Sequence, residues 1–175
     1  MLTDKYLRIN SLVETIEKWI SVILISAIVL IVFAGTLSRY VFENPIYGAD
    51  RIATYLMIWL GFIGFQIAVS KMRHIEIEFV KTRVKPATKY IMSTLTSFAG
   101  TLFFIILVLL SLQYISASKS LGDTDIVLEI PLWQILLILP VTFGLSAIRS
   151  LFNALLWLDV YSGKRDEKDI VQKKL

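Results

Sequence analysis

The 175-residue chain contains no cysteine and a single histidine. The first absence excludes disulfides, thiolate metal sites and thiol nucleophiles. The second excludes any site that draws two imidazoles from one chain, bis-histidine haem ligation included. Acidic side chains are missing from four long stretches, residues 19–37, 52–70, 90–118 and 130–158. Ion-coupled carriers hold a carboxylate or similar group near the membrane midplane, and these stretches offer none. No glycine-rich phosphate loop and no cluster of metal ligands is present. The expectation is therefore a protein with no catalytic, substrate-binding or metal residue and no cofactor.

Apolar bulk dominates what remains. Hydrophobic residues make up 56% of the chain and the mean hydropathy is +0.70, against roughly 45–50% apolar residues in soluble domains. The net charge of +4 is modest, and the bases flank apolar runs, which points to membrane orientation and away from nucleic acid. Each acid-free stretch has the ~20 mostly apolar residues that a spanning helix needs. Barrel strands are about 10 residues long and alternate in polarity; these runs do neither. The fold class expected is an all-α integral membrane protein with four transmembrane helices, at about 19–38, 52–70, 90–117 and 131–157, in one domain over 1–162. The third and fourth runs are 29 residues each and would rise about 43 Å as helix, so tilt is expected. Pro140 should kink the fourth. Trp19, Tyr90, Tyr114, Trp133 and Trp157 stand near run ends, where amphipathic rings favour the interface.

The first run reads as a retained anchor. Its 19 uncharged residues exceed the 7–15 of a signal-peptide core. Asp4, Glu14 and Glu17 precede it, and no small-x-small cleavage site follows. Lysine and arginine gather before the first run (Lys5, Arg8, Lys18), after the second (Lys71 to Lys89) and after the fourth (Lys164 to Lys174). The other two loops hold only Arg39, Arg51 and Lys119. The positive-inside rule then puts both termini and the middle loop in the cytoplasm. Tyr6, Ile9, Val13, Ile16 and Ile20 share one helix face. That segment either lies on the membrane surface as an interfacial amphipathic helix or extends the first span, and the sequence leaves both open. Ile75 to Val84 suits a short interfacial helix ending before Pro86. Residues 163–175 read as a charged cytoplasmic tail.

Few side chains in the spans carry chemistry. Arg149 is the one charge among them, and a snorkelling or lipid-phosphate contact competes with a partner contact there. His74 follows Lys71 and Arg73 at the end of the second run and reads as a surface or capping residue. Small residues recur at packing intervals: Gly61, Gly64 and Ala68; Ser93, Ser97 and Thr101; Ser146, Ser150 and Ala154. Their simplest use is packing within the four-helix unit. Tyr55 and Trp59, four apart, could mark a face turned to a partner. A subunit of a larger membrane complex fits this inventory.

One stretch carries a resemblance. Ser38-Arg39-Tyr40-Val41-Phe42 and Asn44-Pro45 close the first span. Asp50 precedes the second, which holds Tyr55, Trp59, Leu60 and Gly61 and ends in Lys71-Met72-Arg73-His74-Ile75-Glu76-Ile77. In this order they resemble the small, DctQ-like membrane subunit of tripartite ATP-independent periplasmic (TRAP) transporters, closely over about residues 38–80 and by hydropathy elsewhere. Where that family often has two glutamates before its second span, this chain has Asp50-Arg51, so a contact needing two acids would be altered. The resemblance implies a multi-pass protein of the bacterial inner membrane, not an enzyme. It implies a fixed scaffold joined to a large membrane subunit and served by a periplasmic substrate-binding protein. Uptake would be of organic anions such as sialic acid or C4-dicarboxylates, driven by an ion gradient, commonly sodium. On that footing Arg39, Tyr40, Asp50 and Arg51 would shape the periplasmic surface for a partner, with a local charge cluster capping the second helix as the alternative. Tyr55, Trp59, Gly61 and Gly64 would line the buried partner interface, and Arg149 would meet lipid or a partner. The competing readings are a stand-alone small multidrug-type carrier, an intramembrane enzyme and an anchor subunit of another membrane complex.

Overall fold

The computed structural model describes residues 2–70 and 86–163. The expected 75–84 helix, His74 and most of the charged tail lie outside the described residues. Helix α1 spans Leu2–Val41, α2 Ala49–Ser70, α3 Pro86–Leu121, α4 Leu132–Leu136 and α5 Ile138–Tyr161. Four segments are long and apolar enough to cross a membrane, α4 and α5 counting together as one. Only 6% of the most apolar stretch of α1 is buried within the chain, and 28% of that in the α4–α5 segment. Apolar side chains are thus left outside to an extent that water would not tolerate, and hydrocarbon is their solvent.

The helices form two antiparallel pairs. α3 packs most extensively on α5, α1 on α2, and α2 meets α5 to join the pairs. Small residues set the closest approach. Ser93, Ser97 and Thr101 of α3 are buried against Ser146, Ser150 and Ala154 of α5, and Ser150 Oγ donates to the Ser97 carbonyl at 2.8 Å. Two of the three small-residue stripes therefore do pack within the unit.

Chain ends of helices follow local rules. α3 stops at Gly122, whose φ of 68° is left-handed. The Asp123 amide reaches back to the Ser118 carbonyl and the Gly122 amide to Lys119, the paired pattern that satisfies the last carbonyls. The fourth segment breaks at Leu137 rather than at Pro140 itself. Pro140 has no amide to offer the Leu136 carbonyl and its ring crowds that group, so the fault falls one turn earlier and Pro140 sits in the first turn of α5.

Residues 6–20 belong to α1 without a break, so the segment extends the first span. The apolar stripe that the spacing singles out is turned inward only in part. Ile9, Ile16 and Ile20 are exposed, whereas Leu7 and Glu17 are buried. Leu7 packs with Leu156 and Val160 of α5, and Tyr6 stacks on Phe152 at 4.2 Å between ring centres. With lipid outside, the polar side chains of this helix gain most by facing in, where partners wait.

Candidate functional site

Polar side chains collect at two places in the bundle. One is the end that carries the loops 42–48 and 122–131. Here Arg39, in the last turn of α1, and Asp50, in the first turn of α2, pair at 3.0 Å. The pair is exposed, so its own worth is about 0–1 kcal/mol. It ties the α1–α2 corner, and Asp50 suits the positive end of α2.

Asp125 is the centre of this end. Its Oδ1 accepts the Val127 and Leu128 amides at 2.9 and 2.8 Å, which folds the 122–131 loop on itself. Its Oδ2 accepts the Tyr55 hydroxyl and lies 3.8 Å from Arg51 Nε. The Tyr55 hydrogen bond first, then the Leu128 amide, hold this carboxyl below its ordinary 3.8. Leu128 lies against Gly48, where a Cβ would come within 2.5 Å of Leu128 Cδ2. Deeper in, Trp59 Nε1 donates to the Ile135 carbonyl at 3.1 Å, next to the helix break. The loop between α3 and α4 is thereby fastened to the first two turns of α2.

The second cluster lies within the bundle near the other end. Arg149 of α5 is 1% exposed. Its Nη2 meets Glu17 Oε2 at 3.0 Å, Nε meets Asn10 Oδ1 at 2.9 Å, and Nη1 meets the Gln66 carbonyl and Oε1 at 2.7 and 2.9 Å. Gln66 Nε2 turns the other way, donating to Ser146 Oγ at 2.8 Å and to the Thr142 carbonyl. Asn10 Nδ2 continues to Ser70 Oγ, and Ser70 to Glu14. Three helices are joined by one network, whose charges offset each other where an isolated ion would be costly.

The expected residues distribute as follows. Arg51 and Tyr55 meet Asp125 of the 122–131 loop, Trp59 reaches Ile135 of α4, and Arg39 and Asp50 pair with each other at the α1–α2 corner. Tyr40 stands apart, 78% exposed. Gly61 and Gly64 lie on the outer face of α2, and a Cβ at either would meet nothing within 4 Å. Arg149, expected at a lipid or partner contact, is turned inward and directs its donors to α1 and α2. Asp125, Glu17 and Asn10 were not among the expected residues. Asn10, Glu14 and Glu17 recur at steps of four and three on one helix face, and Gln66 interrupts an apolar run. That shared polar spacing was the available signal.

The family described as tripartite ATP-independent periplasmic transporters, DctQ component, matches residues 28–159. The chain is 34% identical over 68 residues to the sialic acid TRAP transporter permease protein SiaT of Haemophilus influenzae, covering 39% of this chain and 11% of that protein. It is 29% identical over 90 residues to a putative TRAP transporter small permease protein of Haemophilus influenzae, 50% of this chain and 56% of the relative. A C4-dicarboxylate TRAP transporter small permease protein of Vibrio cholerae is 26% identical over 103 residues, 59% of this chain and 44% of the relative. The matches thus span 56% and 44% of the two small permease relatives and 11% of SiaT.

Proposed function

Since the chain belongs to the DctQ component of the tripartite ATP-independent periplasmic transporters, a family of multi-pass inner-membrane proteins, we propose that it is the static scaffold of such a transporter. It seats a larger membrane subunit that moves the solute, while a periplasmic binding protein delivers that solute to the loop end. The cargo is an organic anion, with sialic acid and C4-dicarboxylates the two classes named among its relatives. An ion gradient, sodium first among the candidates, drives uptake. Both termini are cytoplasmic, as the distribution of lysine and arginine favours.

The open face of α2 carries this reading. Gly61 and Gly64 are exposed and have no neighbour to accommodate, and the same face continues through Met57 and Phe65, which are 56% and 38% exposed. Small residues permit a close helix contact when another helix arrives, and among the described residues none comes within 4 Å of a Cβ at either glycine. SiaT lends support of another kind. The part of it that matches this chain is 11% of its length, so in that protein a segment akin to this one is continuous with a much larger body.

Replacement of Gly61 and Gly64 by leucine tests the assignment. The isolated chain should melt unchanged, because the space is open. Co-purification with the large membrane subunit of the transporter, and solute uptake by the reconstituted three-component system, should both fall at least tenfold. Full assembly and uptake with both leucines in place would refute the α2 interface. Uptake by this chain alone in liposomes would instead favour the stand-alone carrier.

A further inference from the structure

A crevice of about 210 Å³ opens between α2, α3 and the α4–α5 break, on the loop side of the bundle. Ile58, Phe62, Leu132, Leu136 and Leu139 form its apolar walls. Four polar residues line it as well: Tyr55, Tyr114, Ser118 and Asp123. Ser118 is 3% exposed, and its Oγ is buried without a hydrogen-bond partner. That is unusual in this chain. Thr101, Ser111 and Thr142 all return their hydroxyls to a carbonyl of their own helix, the ordinary solution for serine and threonine in apolar helices. A buried hydroxyl left unmatched is costly and calls for a partner.

Most of the crevice wall is apolar, which suits a hydrocarbon chain better than a file of waters. Its surroundings mark the membrane interface. Tyr114 is 60% exposed, and Lys119 sits 5.3 Å over the Trp133 ring, amphipathic groups of the kind that gather at headgroup level. Asp123 is exposed and lies just past the end of α3. A negative charge above an apolar slot, with one buried donor between them, is complementary to a molecule with a cationic head, an oxygen acceptor and a hydrocarbon tail.

We propose that this crevice binds a phospholipid with an ammonium headgroup, in chemical terms a phosphatidylethanolamine. The acyl chain fills the slot against Phe62, Leu136 and Leu139. Ser118 Oγ donates to an ester or phosphate oxygen, and the Asp123 carboxylate pairs with the ammonium. The lipid fills the gap beside the helix break and so steadies the α4 turn. This inference does not depend on the transport reading.

Native mass spectrometry of the full chain, released from nanodiscs of matched acyl composition, tests it. One phosphatidylethanolamine should stay bound, in preference to phosphatidylglycerol. Asp123→Asn should abolish that preference without changing the melting temperature. Ser118→Ala should weaken retention about threefold to tenfold, the scale of one neutral hydrogen bond. Leu136→Trp should fill the slot and expel the lipid. Equal retention of the two lipids by the unaltered chain would overturn the proposal, as would an unchanged preference in Asp123→Asn, a loop variant that leaves the helices intact. A photocrosslinker at Leu139 that captures protein rather than lipid in the assembled transporter would also overturn it.

Discussion

Arg149 and Glu17 stand 132 positions apart in the sequence and 3.0 Å apart in the structure, with Arg149 1% exposed and the Glu17 side chain 10% exposed. The contact joins the first helix to the last. The second oxygen of Glu17 is buried without a partner, so its charge depends on Arg149. Arg149→Met should therefore cost roughly 3–5 kcal/mol, the penalty for orphaning a buried ion. Glu17→Leu combined with Arg149→Met removes both charges and should melt well above the single variant. Thermal unfolding in nanodiscs distinguishes the two cases. A double variant no more stable than Arg149→Met would mean that the ion pair adds little beyond the neutral contacts of Asn10 and Gln66.

Four spans were legible because apolar length against bilayer thickness is a one-dimensional property. Four long apolar helical segments are present, the fourth interrupted at Leu137, and even the fault near Pro140 was anticipated to within a turn. The partner of Arg149 was not legible. Glu17 precedes Trp19 and reads as part of a cytoplasmic tail until α1 is seen to continue through it. Asp125 was visible only as one acid of an outward loop. Its role arises when that loop folds onto α2, and nothing local to residue 125 announces Tyr55 or Arg51. The spacing of Tyr6, Ile9, Val13, Ile16 and Ile20 was real but could not choose between an interfacial helix and an extension of the first span, because beside lipid an apolar stripe faces outward as readily as inward.

Acid should loosen the loop end. Because the folded Asp125 carboxyl titrates below its ordinary 3.8, it stabilises the fold at all pH values above 3.8. That contribution disappears as pH falls from 3.8 through the folded value. The Val127 and Leu128 amides, which the carboxylate accepts, should report the midpoint in an NMR titration. Tyr55→Phe removes the largest cause of the shift and should move the midpoint up toward 3.8. An unmoved midpoint would assign the shift to the backbone amides and Arg51.

The lack of cysteine gives a clean background for topology. Ile126, 90% exposed in the 122–131 loop, and Ser162, just past α5, lie at opposite ends of the last span. A single cysteine at Ile126 should react with an impermeant maleimide on spheroplasts with the outer membrane removed. One at Ser162 should react only after lysis. The reverse pattern would invert the orientation read from lysine and arginine placement.

Gly48 and Gly122 share a left-handed backbone, φ 77° and 68°, but not their surroundings. A Cβ at Gly122 meets nothing within 4 Å, so Gly122→Ala should cost about 1–2 kcal/mol, the conformational penalty alone. At Gly48 the added methyl would come 2.5 Å from Leu128 Cδ2. Gly48→Ala should thus lose roughly 2–5 kcal/mol, because overpacking adds to the same backbone term. It should also push Leu128 outward and weaken the turn that Asp125 holds. Since the clash is with the far end of a flexible side chain, Leu128→Ala in the same background should recover the steric part and leave the backbone part. A double variant that melts like Gly48→Ala alone would show that Leu128 had already moved aside, and that the loop is fastened through Asp125 without help from this contact.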